Sequence, residues 1–249
     1  MDKPHNAKPP SDALGHRLNK IPEPTIQRLP LYYRCLVEFK DTERQIISSE
    51  DVASKIPGMK ASQFRKDLSF FGEFGTQGLG YNVTRLLERI GNILQLNRVH
   101  FVVLVGAGNL GSALVKYPGF RQWGFHITRI FDANKEKVGR KLGQVFIEDA
   151  ELLPMPIDAS LGIIAVPPAA AHQTARLLVD SGVRGLLNFT GVKLNFPAPV
   201  SVRTVDLTNE LSILSYKLAT FDTQEPESAL DFESGRSRGR RKNQGEAAS

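Results

Sequence analysis

A glycine triplet followed at a distance by an acid is chemistry suited to a phosphate-bearing ribonucleotide. In "GAGNLG", Gly106, Gly108 and Gly111 come directly after a β-rich apolar run and before the helical run "SALVKY". The first glycine permits a tight turn and the second lets backbone approach a pyrophosphate. The third lets the helix pack closely on its strand. Gly106, Ala107 and Gly108 would form the turn, and the N–H groups of Asn109, Leu110 and Gly111 would face phosphate from a helix N-terminus. Asp132 ends the next β-run, 21 residues after Gly111. A carboxylate there can accept hydrogen bonds from an adenosine ribose and repels a 2′-phosphate, which favours NAD(H) over NADP(H). Two later strand ends, "AVPPAAA" with Val166 and Pro167 and "NFTGV" with Asn188, Phe189 and Thr190, are expected to face the nicotinamide half.

A second set of residues has a different chemistry. Residues 55–66 hold Lys55, Lys60, Arg65 and Lys66 without an acid. Such a patch is either a solvated face or a surface for a phosphate backbone. Within "SQFRKDLSFFG", Phe64, Leu68 and Phe71 fall on one helical face for burial, leaving Arg65, Lys66 and Ser69 on another. Arg can pair bidentately with guanine, Lys can grip phosphate, and a ribbon can enter the minor groove.

The elements around these residues explain how they would be held. "TIQRLPLYYRCLVEF" sets Ile26, Leu29, Tyr33, Leu36 and Val37 on one helical face, and Pro30 is expected to kink or restart that helix. "SSEDVASKI" opens with a capping-box pattern from Ser48 to Asp51, and Gly58 turns the chain after it. Helix, short helix, turn, helix and then a ribbon punctuated by Gly72, Gly75, Gly78 and Gly80 is the order of a winged helix-turn-helix. A further helix over roughly 83–95 leads on. From residue 99 short β-runs alternate with helical segments: "VHFVVLV", "FHITRIFD", "QVFI", "LGIIAV", "GLLNF" and "VSVRTVD". Six such strands match a doubly wound parallel sheet of the Rossmann type. The last helix carries Leu207, Leu211, Leu214 and Leu218 on one stripe, which packs either on its own sheet or on a second subunit.

The expected organisation is therefore α/β, with five segments. A tail over 1–20 is read as disordered, a winged-helix DNA-binding domain covers 21–96, and a Rossmann NAD(H)-binding domain covers 97–206. A helix over 207–221 and a second disordered tail over 222–249 complete the chain. Tail acids Asp222, Glu225, Glu227, Asp231 and Glu233 precede the basic block "RSRGRRK"; these charges are expected to keep the tail solvated, the alternative being that the basic block adds weak, salt-sensitive DNA affinity.

Composition bounds the rest. In 249 residues with net charge +6 there is no apolar run of membrane-spanning length and no secretory h-region near the N-terminus, so a cytoplasmic protein without a membrane partner is expected. One cysteine, Cys35, excludes an internal disulfide and a Cys-rich metal site. A dehydrogenase needs an acid or base beside its carbonyl. Of the histidines His5, His16, His100, His126 and His172, only His172 is suitably placed, and no carboxylate partner stands out. The reading is a cofactor sensor and not an enzyme. The rival readings are an oxidoreductase with an added helical domain, and a DNA-binding protein whose glycine turn holds coenzyme A.

The stretches "RLPLYYR", "FRKDLSFFGEFGTQGLGYNV", "VGAGNLG", "YPGF", "FDANKEKVG", "AVPPAAA", "GLLNF" and "VDLTNELSILSY" together resemble the Rex family of redox-sensing transcriptional repressors, over about residues 21–219. The resemblance implies a homodimer that binds double-stranded operator DNA and is released when NADH binds, so that transcription follows the NADH/NAD+ ratio. It implies DNA contacts from Lys60, Ser62, Gln63, Arg65, Lys66 and Ser69 on and before the recognition helix, and from Gln77 and Tyr81 on the ribbon. Arg34, Tyr117 and Asp206 match a trio that links subunits and domains differently in the two states. The helix beginning at Leu207 matches one that is swapped onto the partner. Two departures stand out: Gln77 replaces a basic residue, which weakens minor-groove contact. Gly191 replaces a proline, which loosens the loop beside the nicotinamide.

Overall fold

The computed structural model describes residues 21–75 and 78–222, without the side chains of the last two. The expectations for the two tails and for Gln77 lie outside the described residues. The chain divides into two compact units. One takes the described chain up to Phe101 together with Tyr117–His126. The other takes Val102–Lys116 and the chain from Ile127 onward.

The first unit begins with α1 (Glu23–Asp41), whose first turn carries Pro24 and Glu23, both suited to a helix start. The helix runs through Pro30 and does not restart there. Its buried stripe is Thr25, Leu29, Tyr32, Cys35, Leu36 and Phe39, while Ile26 is exposed. The stripe turns one position from the expected face because Tyr32 and Thr25 follow a polar partner inside the unit, described below. Short strand β1 (Ile46–Ile47) leads to α2 (Ser49–Lys55). The capping box forms as expected: the Asp51 N–H donates to Ser48 Oγ at 3.0 Å, and the Ser48 N–H donates to Asp51 Oδ2 at 2.7 Å. Gly58, with φ of +74°, turns the chain into α3 (Ala61–Ser69).

Strand β2 (Tyr81–Asn82) pairs antiparallel with β1, so the ribbon is made by these two strands, and the described residues of the glycine-punctuated segment before β2 form no strand of their own. Gly80 allows this pairing, since a Cβ there would lie 2.4 Å from the Ile47 carbonyl oxygen. Asn82 caps α4 (Val83–Ile93) by accepting from the Arg85 N–H at 3.0 Å. Leu29, Tyr32, Leu36, Phe39, Val52, Phe64, Leu68, Leu86 and Ile90 build one core from all four helices.

The second unit is organised around a seven-stranded sheet. Its strands are β3 (His100–Val105), β4 (Phe125–Asp132), β5 (Lys141–Leu142), β6 (Val145–Asp149), β7 (Leu161–Ile164), β8 (Gly185–Asn188) and β9 (Ser201–Thr204). The order is β5-β6-β4-β3-β7-β8-β9, parallel except for the antiparallel edge strand β5. The six expected strands thus follow the doubly wound order, which reverses direction at β3 and opens a crevice beyond the carboxyl ends of β3 and β7. Helices α5 (Asn109–Lys116) and α7 (Ala171–Asp180) connect strands. Helix α6 (Pro118–Gln122) belongs with the first unit, where Trp123 meets Tyr33 edge-on at 5.2 Å.

Helix α8 (Leu207–Asp222) stands apart from the sheet. Leu207, Leu211, Leu214 and Leu218 are each more than half exposed, so the stripe does not pack on its own sheet. Among the described residues, no helix is long and apolar enough to cross a membrane.

Candidate functional sites

The glycine turn follows β3. Gly106 has φ of +102°, and a Cβ there would sit 2.4 Å from the Ala165 carbonyl oxygen. A Cβ at Gly111 would lie 1.8 Å from the Gly106 carbonyl oxygen, so the start of α5 can approach the turn only as glycine. The space beside Gly108 is open, with no atom within 4 Å of an added Cβ. Two glycines therefore close the turn and the middle one leaves room. The Ser112 N–H donates to the Gly108 carbonyl at 2.9 Å and begins the helical ladder, leaving the preceding N–H groups at the turn without partners in it.

Asp132 sits at the end of β4, 8% exposed. It accepts from the Ala107 N–H at 2.7 Å, from the Asn134 N–H at 2.8 Å and from Lys137 Nζ at 3.2 Å. Burial pushes this carboxyl up, but the two backbone N–H groups and Lys137 outweigh it and hold the carboxyl below its ordinary value. The acid thus clamps the glycine turn to β4, with one acceptor position left on Oδ1. Lys137 was not singled out in the sequence. Its ammonium shares Asp132 Oδ2 with the Ala107 N–H. A signal existed, because "DAN" places Asp132 two residues before Asn134, an Asx-turn spacing that brings the following lysines round.

Across the crevice, Val166 and Pro167 follow β7, and the chain enters a short 3-10 turn at Pro168. Asn188 ends β8 fully buried. Its amide donates to the Val192 carbonyl at 2.7 Å and to Thr204 Oγ1 at 3.3 Å. Its oxygen accepts from the Thr190 N–H at 3.0 Å and Thr190 Oγ1 at 2.7 Å. Asn188 therefore holds the loop through Phe189 and Thr190 from behind. Gly191 in that loop has φ of +72°, a conformation closed to proline. His172 is exposed in the first turn of α7, with no hydrogen bond to a carboxylate among the described residues. No cluster of metal-ligating side chains occurs among them either.

In the first unit, α3 presents Ser62, Arg65, Lys66 and Ser69 to solvent, after Lys60 at its N-cap. Ser69 Oγ donates to the Lys66 carbonyl at 2.7 Å. Arg65 Nη1 donates to Ser49 Oγ at 2.5 Å and to Glu50 Oε1 at 3.1 Å. The helix-start N–H of Glu50 itself, then Arg65 and Ser49, hold the Glu50 carboxyl below its ordinary value. Gln63 turns inward, its Nε2 donating to Asp67 Oδ1 at 2.8 Å. Tyr81 sets its ring edge-on to Phe64 at 5.4 Å, half-buried on the ribbon.

Asp67 was not foreseen as a site residue. It is fully buried in α3 and binds Arg28 twice, at 2.6 and 2.8 Å, Tyr32 Oη at 2.5 Å and Thr25 Oγ1 at 3.0 Å. Burial pushes its carboxyl up, but Arg28, Tyr32, Gln63 and Thr25 hold it down to about 2. This hub locks α3 onto α1. Its signal lay in the helical period, which puts Asp67 on the same face as Phe64, Leu68 and Phe71. At the base of the ribbon, Arg89 donates to the Glu73 carbonyl and lies 4.3 Å from the Phe74 ring centroid.

The linking residues have separate partners. The Arg34 guanidinium lies 5.1 Å over the Trp123 ring. Tyr117 meets Phe120 edge-on at 5.3 Å and is exposed. Asp206 caps α8, accepting from the N–H groups of Thr208 at 3.0 Å and Asn209 at 3.1 Å, ahead of exposed Leu207.

A winged helix-turn-helix joined to a doubly wound nucleotide-binding sheet is the build of a ligand-responsive DNA-binding protein. Comparison with known proteins agrees at both ends. A sequence family described as "Putative DNA-binding protein N-terminus" matches residues 20–69, and one described as "CoA binding domain" matches residues 97–192. A redox-sensing transcriptional repressor Rex of Carboxydothermus hydrogenoformans is 46% identical over 202 residues, covering 80% of this chain and 97% of that protein. Crystal structures of RSP, a Rex-family repressor, also match. The complex with beta-NAD+ and operator DNA is 35% identical, with a TM-score of 0.75 over 84% of this chain and 99% of that one. The complex with beta-NADH is 32% identical, with a TM-score of 0.73 over 82% and 97%. This chain belongs to the Rex family of redox-sensing transcriptional repressors.

Proposed function

We propose that the protein is a homodimeric repressor that binds operator DNA and releases it when NADH occupies the crevice. The observation that supports this most is the likeness, over both units, to a repressor solved with beta-NAD+ and operator DNA and again with beta-NADH. The pyrophosphate lies against Gly106, Ala107 and Gly108 and the N–H groups of Asn109, Leu110 and Gly111. The adenosine ribose meets Asp132, and Val166, Pro167, Phe189 and Thr190 line the nicotinamide half, with Asn188 holding their loop. Hydride chemistry is what the cofactor would supply to an enzyme. Here the chain's residues bind and orient the cofactor, and the response is a change of state.

On the DNA side, Arg65 reads a base, Lys60 and Lys66 grip phosphate, Ser62 and Ser69 add polar contacts, and Gln77 with Tyr81 places the ribbon. Gln63 serves through Asp67. Helix α8, from Leu207, covers its apolar stripe against a second copy, and Arg34, Tyr117 and Asp206 exchange partners between the two states. A domain division at 96/97 and 206/207 accompanies this reading, and its place of action is the cytoplasm.

The test is fluorescence anisotropy of a labelled palindromic operator at fixed salt, titrated with NADH, NAD+ and coenzyme A. Release by NADH far below the concentration needed for the other two is expected. Release by coenzyme A alone would move the crevice to the other ligand, and indifference to all three would leave a DNA-binding protein without a redox response.

A further inference from the structure

Arg65 does not project freely from α3. Its Nη1 donates to both Ser49 Oγ and Glu50 Oε1, and Ser49 Oγ donates on to Glu50 Oε2 at 3.1 Å. Ser49 and Glu50 are the first two residues of α2, whose start is fixed by the Ser48–Asp51 capping box. Ser49 is buried, so the acceptor pair rests on a rigid base. The Arg65 and Glu50 side chains are 52% and 67% exposed, and a pair so open contributes little to stability. A carboxylate within a basic patch also opposes binding to any phosphate backbone. The first turn of α2 suits an acid, but that placement does not require Glu50 to grip Arg65, and its charge works against DNA affinity.

Geometry supplies an explanation. With Nη1 occupied, the edge left to Arg65 is the one formed by Nε and Nη2. Two parallel N–H donors on one edge match guanine O6 and N7. We propose that Glu50, with Ser49, is a positioning residue that presents the Nε–Nη2 edge of Arg65 to a base, so that Glu50 sets sequence discrimination at the expense of general DNA affinity. The proposal rests on α3 being the recognition helix. A tethered guanidinium samples fewer rotamers, so less freedom is lost on meeting the correct base. It also reaches phosphates less readily, which lowers affinity for the wrong sequence.

The test compares Glu50→Ala, Glu50→Gln and Arg65→Ala with the natural chain. Each is titrated by anisotropy, at one salt concentration, against an operator selected from random duplexes by the natural protein and against a scrambled duplex of equal composition. Discrimination is the ratio of the two dissociation constants. Glu50→Ala is expected to bind the scrambled duplex more tightly and to lose about tenfold in discrimination. Glu50→Gln keeps an acceptor for Nη1, so its affinity for both duplexes should rise while the ratio stays near that of the natural chain. If Arg65→Ala abolishes discrimination while both Glu50 variants raise affinity for the two duplexes by the same factor, Glu50 only repels phosphate and the proposal falls. If Arg65→Ala leaves discrimination intact, the assignment of α3 falls first and takes the proposal with it.

Discussion

Replacing Asp67 by Asn keeps its volume and removes its charge from the hub that joins α3 to α1. Five donors reach the two carboxylate oxygens: Arg28 Nε and Nη2, Tyr32 Oη, Thr25 Oγ1 and Gln63 Nε2. The new amide would turn its own N–H groups toward these donors and leave some of them unpaired. The carboxyl is held at about 2 against an ordinary 3.8, and at about 1.4 kcal/mol per pH unit this amounts to about 2.5 kcal/mol. Removing one partner of a buried pair costs about 3–5 kcal/mol, but Arg28 keeps a quarter of its side chain in water, which favours the lower end. A loss of about 2–3 kcal/mol at pH 7 is expected.

The sign of the pH dependence follows from the depressed carboxyl. Its contribution is complete above about pH 4 and is lost as pH falls toward about 2, so the gap between the natural chain and Asp67→Asn should roughly halve by pH 3. Other acids titrate in the same range but cancel in the difference. Urea unfolding followed by tryptophan fluorescence measures it, because Trp123 is the chain's single tryptophan and packs on Tyr33 within the first unit. A gap below 0.5 kcal/mol at pH 7, against the several kcal/mol typical of a buried pair, or a gap equal at both pH values would refute the electrostatic account of the hub.

Other outcomes follow from single contacts. Asp132→Ala removes the acceptor of the Ala107 N–H and should weaken NADH binding by about 2 kcal/mol, roughly thirtyfold by fluorescence titration, with operator affinity of the free protein unchanged. Gly111→Ala places a Cβ 1.8 Å from the Gly106 carbonyl oxygen and should weaken NADH binding by more than tenfold, again sparing operator binding. Aspartate at both Leu211 and Leu214 puts charge on the exposed stripe of α8. If the stripe pairs with a second copy as proposed, sedimentation should then show monomers at micromolar concentration where the natural chain sediments as a dimer, since burying each leucine would be worth about 1.5–3 kcal/mol.

Local chemistry made much of this molecule legible. The Ser48–Asp51 box and the glycine spacing act over three to five residues, within reach of a pattern. Six apolar β-runs alternating with helices specified the doubly wound sheet, because parallel strands require long crossovers and bury both faces. The edge strand β5 escaped notice because two residues paired on one side carry no period.

What the sequence by itself determined is therefore the order of elements, the glycine turn, the acid at the end of β4 and the basic face of α3, all written in neighbouring residues. Only the tertiary structure decided how those groups are spent. Asp67 meets partners on α1, 35 to 42 residues away, and so becomes a lock and not a surface charge. Asp132 is shared between the glycine turn and Lys137, and Asn188 turns into its own loop. Arg65 is held by the start of α2, and α8 is left with its leucines in solvent. Spacing along a chain reports which groups are available, but hydrogen-bond valence is finite, and only the fold determines which neighbours fill it.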